Sequence, residues 1–161
     1  MLGVRNPFRI TLDPLNGDLW LGDVGQSCWE EIDRLPTGPR GAGGVNLGWD
    51  RLEGDQPFEG GRLVGRALTP VHTYSHRGGR GGAGAGPGVR GDSLPSLDGW
   101  MLFADYCAGR IMGLRADTPD GAATVIDLGL PVERPVAIVT GPLGRPWVLS
   151  LDGAVYEVVA R

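Results

Sequence analysis

Asn16-Gly17-Asp18-Leu19-Trp20-Leu21-Gly22-Asp23-Val24-Gly25-Gln26 carries a turn, a strand and an acidic strand end in eleven residues. Asp13-Pro14 and Asn16-Gly17 are turn dipeptides, since Pro fixes φ and Asn-Gly accepts positive φ. Phe8 to Leu12, just before them, is an alternating apolar run. Asp18 to Gly22 then reads as the return strand of a hairpin, and Glu31 to Leu35 as the next strand. Beyond it, the Gly/Pro stretch Pro36 to Gly44 breaks the pattern.

The same shape recurs downstream. Trp100 to Asp105, an Ala108-Gly109 turn and Arg110 to Leu114 form a second hairpin. Val136 to Thr140, Trp147 to Leu151, an Asp152-Gly153 turn and Ala154 to Val159 form a third unit. Each unit has an apolar strand, a small residue, an acid, a turn and another apolar strand. Repeated antiparallel sheets of this kind suit a propeller blade. Irregular spacing between the copies leaves a β-sandwich open on this ground alone.

Composition narrows the options. With 29 glycines and 13 prolines in 161 residues, turns are plentiful. No window shows helical apolar spacing without a Gly or Pro interrupting it. The net charge of −4 argues against nucleic acid or an anionic membrane as a partner. Arginine supplies every basic charge. No apolar run reaches membrane-spanning length, and no signal peptide is visible after Met1. Cys28 and Cys107 lack zinc-site spacing and read as two buried thiols or as one disulfide. Arg77 to Gly91 holds eight glycines in fifteen residues and is expected to be an atypical, flexible Gly/Arg-rich loop. No Lys-Ser/Thr or helix start accompanies it, so it is no phosphate cradle.

Several runs occur in a fixed order: Arg5-Asn6-Pro7-Phe8-Arg9, Leu19 to Gln26, Trp29-Glu30-Glu31-Ile32, Asn46-Leu47-Gly48-Trp49, Pro70-Val71-His72, Tyr74-Ser75-His76 and Leu102 to Ile111. Together they resemble the glucose/sorbosone dehydrogenase family, the soluble quinoprotein sugar dehydrogenases and their relatives. The resemblance implies an all-β fold, a partial six-bladed β-propeller of about three blades of four-stranded antiparallel sheet. It covers residues 1–161 and only the C-terminal half of that family.

The activity implied is oxidation of a sugar C1 hydroxyl or aldehyde, with pyrroloquinoline quinone (PQQ) and calcium as cofactors. The family's proton-accepting histidine belongs to an earlier blade, and neither His72 nor His76 matches it. The chain alone is therefore expected to be inactive, with both histidines hydrogen-bonded in turns. Carried over by motif, the cofactor-binding residues are Arg5, Asn6, Arg110 and Arg134. Calcium ligation falls to Gly48, Trp49 and Asp50. A guanidinium fork suits quinone oxygens or a carboxylate, and backbone carbonyls suit a hard cation.

The sequence departs from the active enzymes at Phe8-Arg9, where Gln-Gly is common. The acids Asp23, Glu30, Glu31 and Asp33 are read as structural, Glu30 and Glu31 pointing to opposite faces of a strand. The run that usually carries the mate of the Cys107 position is absent, so Cys107 is expected to be unpaired. A periplasmic or secreted location, a sugar substrate and self-association through exposed blade edges are further implications. The alternative reading is a non-catalytic propeller module that binds carbohydrate or a protein partner.

Overall fold

The computed structural model describes residues 1–36, 44–115 and 123–160. Its elements are β1 (Pro7–Leu12), β2 (Leu19–Asp23), β3 (Trp29–Leu35), four two-residue strands β4 (Val45–Asn46), β5 (Leu52–Glu53), β6 (Gln56–Pro57) and β7 (Arg66–Ala67), then β8 (His72–Ser75), β9 (Ala83–Gly88), β10 (Met101–Asp105), β11 (Arg110–Arg115), β12 (Thr124–Pro131), β13 (Pro135–Thr140), β14 (Pro146–Ser150) and β15 (Val155–Glu157). Only two short 3-10 turns supplement the strands among the described residues.

Three antiparallel sheets follow one another along the chain, in the orders β1-β2-β3-β8, β9-β10-β11-β12 and β13-β14-β15. They are three successive blades of a partial propeller, two with four strands and one with three described. The innermost strands β1, β9 and β13 lie side by side. Arg9 Nε of β1 donates across to the Val136 carbonyl of β13 at 2.7 Å, tying the first blade to the third.

The strand β10 shows how the blades stack. Its alternation sends Met101 and Phe103 toward the first blade, against Trp20, Ile32 and Tyr74. Leu102 and Ala104 face the third blade, against Ile138, Val148 and Val158. The second blade is thus apolar on both faces, the signature of an inner layer. The outer face of the first blade is partly closed by residues 44–68, where Val45 and Leu47 pack on Leu21 and Leu35. Further along that face Ile10 and Leu12 stay 50% and 61% exposed, as cross-strand partners of Leu21 and Leu19. Val139 and Val155 leave a similar open patch on the third blade.

The expectation of a flexible loop over 77–91 is corrected here. Residues 83–88 form β9, all six buried, between the first and third blades. At Gly86 of β9, and at Gly22 of β2 facing it, neighbouring atoms come too close for a side chain. A Cβ on Gly86 would lie 2.8 Å from Ile138 Cβ and 2.9 Å from the Leu102 carbonyl, and one on Gly22 would lie 2.6 Å from the Ala83 carbonyl. Pro87 sits at the irregularity in the β9–β10 pairing, where its missing N–H costs nothing. Likewise His72 belongs to the outer strand of the first blade, not to a turn.

Candidate functional site

The strand β2 ends in Asp23, whose cross-strand partner on β3 is Glu31. Asp33 lies two residues along β3 and so shares Glu31's face. One carboxylate oxygen from each of Asp23, Glu31 and Asp33 lies within 4.8 Å of the other two. All three residues are buried, Asp33 completely. Asp23 has partners: its two oxygens accept the backbone N–H of Arg5 at 2.8 Å and of Asn6 at 2.5 Å. Oε2 of Glu31 and both oxygens of Asp33 have none among the described residues.

Burial and mutual repulsion both disfavour the charged forms. Desolvation first, then the charges of Asp33 and Asp23, hold the Glu31 carboxyl far above the usual carboxylate range. Burial pushes Asp33 up to about 8, with the Asp23 charge adding to it. Asp23 is also raised by burial, against the two backbone N–H bonds that favour its ionised form. Three carboxyls so placed need protons or a cation. Glu30 points the other way, as expected. Its Oε1 pairs with His76 Nε2 at 2.7 Å and its Oε2 accepts the Ala83 N–H at 2.9 Å, fastening the first blade to the second.

Arg5 stands next to the acids. Its guanidinium donates to the Val24 carbonyl at 2.7 Å and to Gln26 Oε1 at 2.9 and 2.5 Å. It also lies over the Trp49 ring, 5.6 Å from the centroid. The structure therefore brings Arg5, Asn6 and Trp49 to one place, beside Asp23. It does not bring Arg110 and Arg134 to Arg5's partners. Arg110 pairs with Asp127 at 2.5 Å on the second blade, and Arg134 pairs with Asp152 on the third.

In the segment Gly48-Trp49-Asp50, assigned to calcium by motif, two groups are engaged within the chain. The Gly48 carbonyl already accepts the N–H groups of Arg51 and Leu52 at 2.8 and 2.9 Å, filling both lone pairs. The Asp50 carboxylate pairs with Arg51 at 3.0 Å. Trp49 stacks on Phe58, ring centroids 5.1 Å apart. The acids read as structural include Asp23, Glu31 and Asp33, which lie close enough together to share one cation. The signal was in the sequence: acids two apart on a strand, opposite an acid at the end of the preceding strand.

Neither thiol is buried. Cys28 and Cys107 are both free and exposed, because each sits in a strand-end turn.

No protein-family model matches the chain. Among solved structures, a glucose dehydrogenase matches with a TM-score of 0.74 at 24% identity, over 99% of this chain and 46% of that one. The fold is that of the sugar dehydrogenases. The apo-form of the soluble aldose sugar dehydrogenase from Escherichia coli matches with a TM-score of 0.70 at 21% identity, over 96% of this chain and 44% of that one. The PQQ-bound aldose sugar dehydrogenase from Streptomyces coelicolor matches with a TM-score of 0.60 at 18% identity, over 92% of this chain and 38% of that one. This partial propeller spans less than half the length of each. No helix among its described residues is long and apolar enough to cross a membrane.

Proposed function

We propose that this chain is part of a quinoprotein sugar dehydrogenase-like propeller that uses PQQ and calcium to oxidise a sugar. When bound, PQQ supplies the hydride acceptor and calcium the Lewis-acid polarisation. Asp23, Glu31 and Asp33 would hold the cation. Their oxygen donors suit calcium, and the orphaned oxygens of Glu31 and Asp33 are ligands in waiting. Binding there displaces the protons that burial otherwise retains.

Arg5 and Asn6 stand next to those acids and are assigned to orient the cofactor. Three N–H bonds to Val24 and Gln26, with Trp49 beneath, fix the Arg5 guanidinium and leave further N–H donors for an acceptor ligand. Arg110 and Arg134 are assigned a lesser part, since each already has a carboxylate partner. A periplasmic or secreted setting follows from the same reading. Self-association through the open faces at Ile10, Leu12, Val139 and Val155 does so too.

The observation that carries the reading is the coincidence of the sugar dehydrogenase fold with buried, unpartnered carboxylates beside Arg5. The test is calorimetric titration of calcium into the metal-free chain. Saturable binding with proton release is expected, and Asp33→Asn should abolish it. Wild-type protein that takes up no calcium at pH 8 would refute the site.

A further inference from the structure

An antiparallel sheet with one solvated face alternates apolar and polar residues along its strands. The third blade does not alternate. Val136-Ala137-Ile138-Val139 of β13 and Trp147-Val148-Leu149 of β14 are unbroken apolar runs. Ile138 and Val148 are buried against the second blade. The alternate side chains point away from it: pairing aligns Ala137, Leu149 and Val155 in one row, and Val139 with Trp147 in the next. On that face Val139 and Val155 are 45% and 55% exposed. Continuous apolar runs are the pattern of strands covered on both sides. At the other end of the arc, Ile10 and Leu12 make a matching apolar patch on the first blade.

We propose that a second copy of this chain covers both patches, two three-blade arcs closing into one six-bladed ring. Each contact sets the first-blade face of one copy, at Ile10 and Leu12, on the third-blade face of the other, at Val139 and Val155. Three blades of a six-bladed fold fill half the circle. Repeating the blade-to-blade step once at each end therefore brings the second copy back onto the first. The two contacts are then identical, related by a two-fold axis along the propeller axis, and neither patch is left open. The chain spans less than half of each sugar dehydrogenase it matches, so two copies approach the length of one. Once the first contact forms, the second is intramolecular, which makes the ring stronger than either contact alone. This assembly rests on the self-association proposed for those open faces, but not on PQQ or calcium.

Light scattering after size exclusion of the 161-residue chain, in EDTA, tests it. Expected at about 100 µM is twice the 17.0 kDa of one chain, with no growth beyond that. Ile10→Glu with Leu12→Glu spoils the first-blade face, and Val139→Glu with Val155→Glu spoils the third-blade face. All four positions are exposed in the single chain, so thermal melts should show both variants folded. Either variant alone should dissociate at least about tenfold more readily, since every contact then contains one spoiled face. An equimolar mixture should recover dimers, because the intact third-blade face of one variant meets the intact first-blade face of the other. Wild-type protein that is monomeric at that concentration refutes the ring and the self-association together. Masses above two chains, a variant that dimerises like wild type, or a mixture that stays monomeric refutes the closed ring while leaving self-association in place.

Discussion

Asp33 is where a single isosteric change has a calculable effect. It is fully buried, its oxygens are unpartnered, and its pKa is pushed from 3.8 up to about 8. In the metal-free protein the folded state then keeps a proton that the unfolded chain releases. Stability is therefore complete below the ordinary carboxylate range and is lost as pH rises through about 8. Each such proton contributes a slope of about 1.4 kcal/mol per pH unit. Over the full shift the ceiling for Asp33 is roughly 6 kcal/mol, and relaxation and water entry reduce this to about 2–3 kcal/mol. Glu31 adds to the slope in the same direction, since its carboxyl is also raised. For a chain of this size, 2–3 kcal/mol corresponds to a fall in Tm of about 5–10 °C. Thermal melts followed by circular dichroism in EDTA, from pH 5 to pH 8.5, measure it. Wild type should melt lower at pH 8.5 than at pH 5, and Asp33→Asn should flatten that dependence. Calcium should restore the wild-type Tm at pH 8.5 and do little for the variant. A wild-type Tm independent of pH, or one rising with pH, would refute the reasoning.

Other outcomes test the architecture. Gly86→Val should destabilise by more than about 2 kcal/mol in urea unfolding, because its Cβ would press on Ile138 and the Leu102 carbonyl. Gly153 holds φ at 91°, so Gly153→Val should cost roughly 1–2 kcal/mol in the same assay; no change would mean the turn does not need it. Arg9→Ala should lower stability by about 1–2 kcal/mol through loss of the bond to Val136, unless the first and third blades do not touch in solution. The pair Ile10→Glu and Leu12→Glu should reduce self-association in light scattering at high concentration. An unaltered mass would remove that face from any contact.

How much of this was legible in the sequence depends on side chains. The hairpins at 7–23, 101–115 and 135–157 were visible because Asn-Gly, Ala-Gly and Asp-Gly turns separate apolar strands, and local chemistry suffices there. The strand β9 was not visible. Its identity comes from what surrounds it, and a run of glycine and alanine at a crowded axis resembles a run in a solvated loop. The strand β12 was also missed; its alternating burial over Thr124–Pro131 is interrupted by Gly129, which reads as a breaker. Arg5 and Asn6 were placed by motif, and their contact with Asp23 follows from β1 pairing with β2. The acid cluster depended on register. Glu31 and Asp33 are obvious as neighbours on one face, but Asp23 joins them only because it pairs directly with Glu31. The exposure of Cys28 and Cys107 likewise came from tertiary placement at strand ends.

The quinoprotein reading stands or falls on cofactor binding that needs both calcium and Arg5. PQQ is titrated into the chain with calcium and with EDTA, following its absorbance, for wild type and for Arg5→Lys. Arg5→Lys keeps the charge but loses the planar fork. The account predicts saturable binding only with calcium, weakened about tenfold in the variant. Binding that ignores calcium, equal affinity in the two proteins, or no binding at all would contradict it.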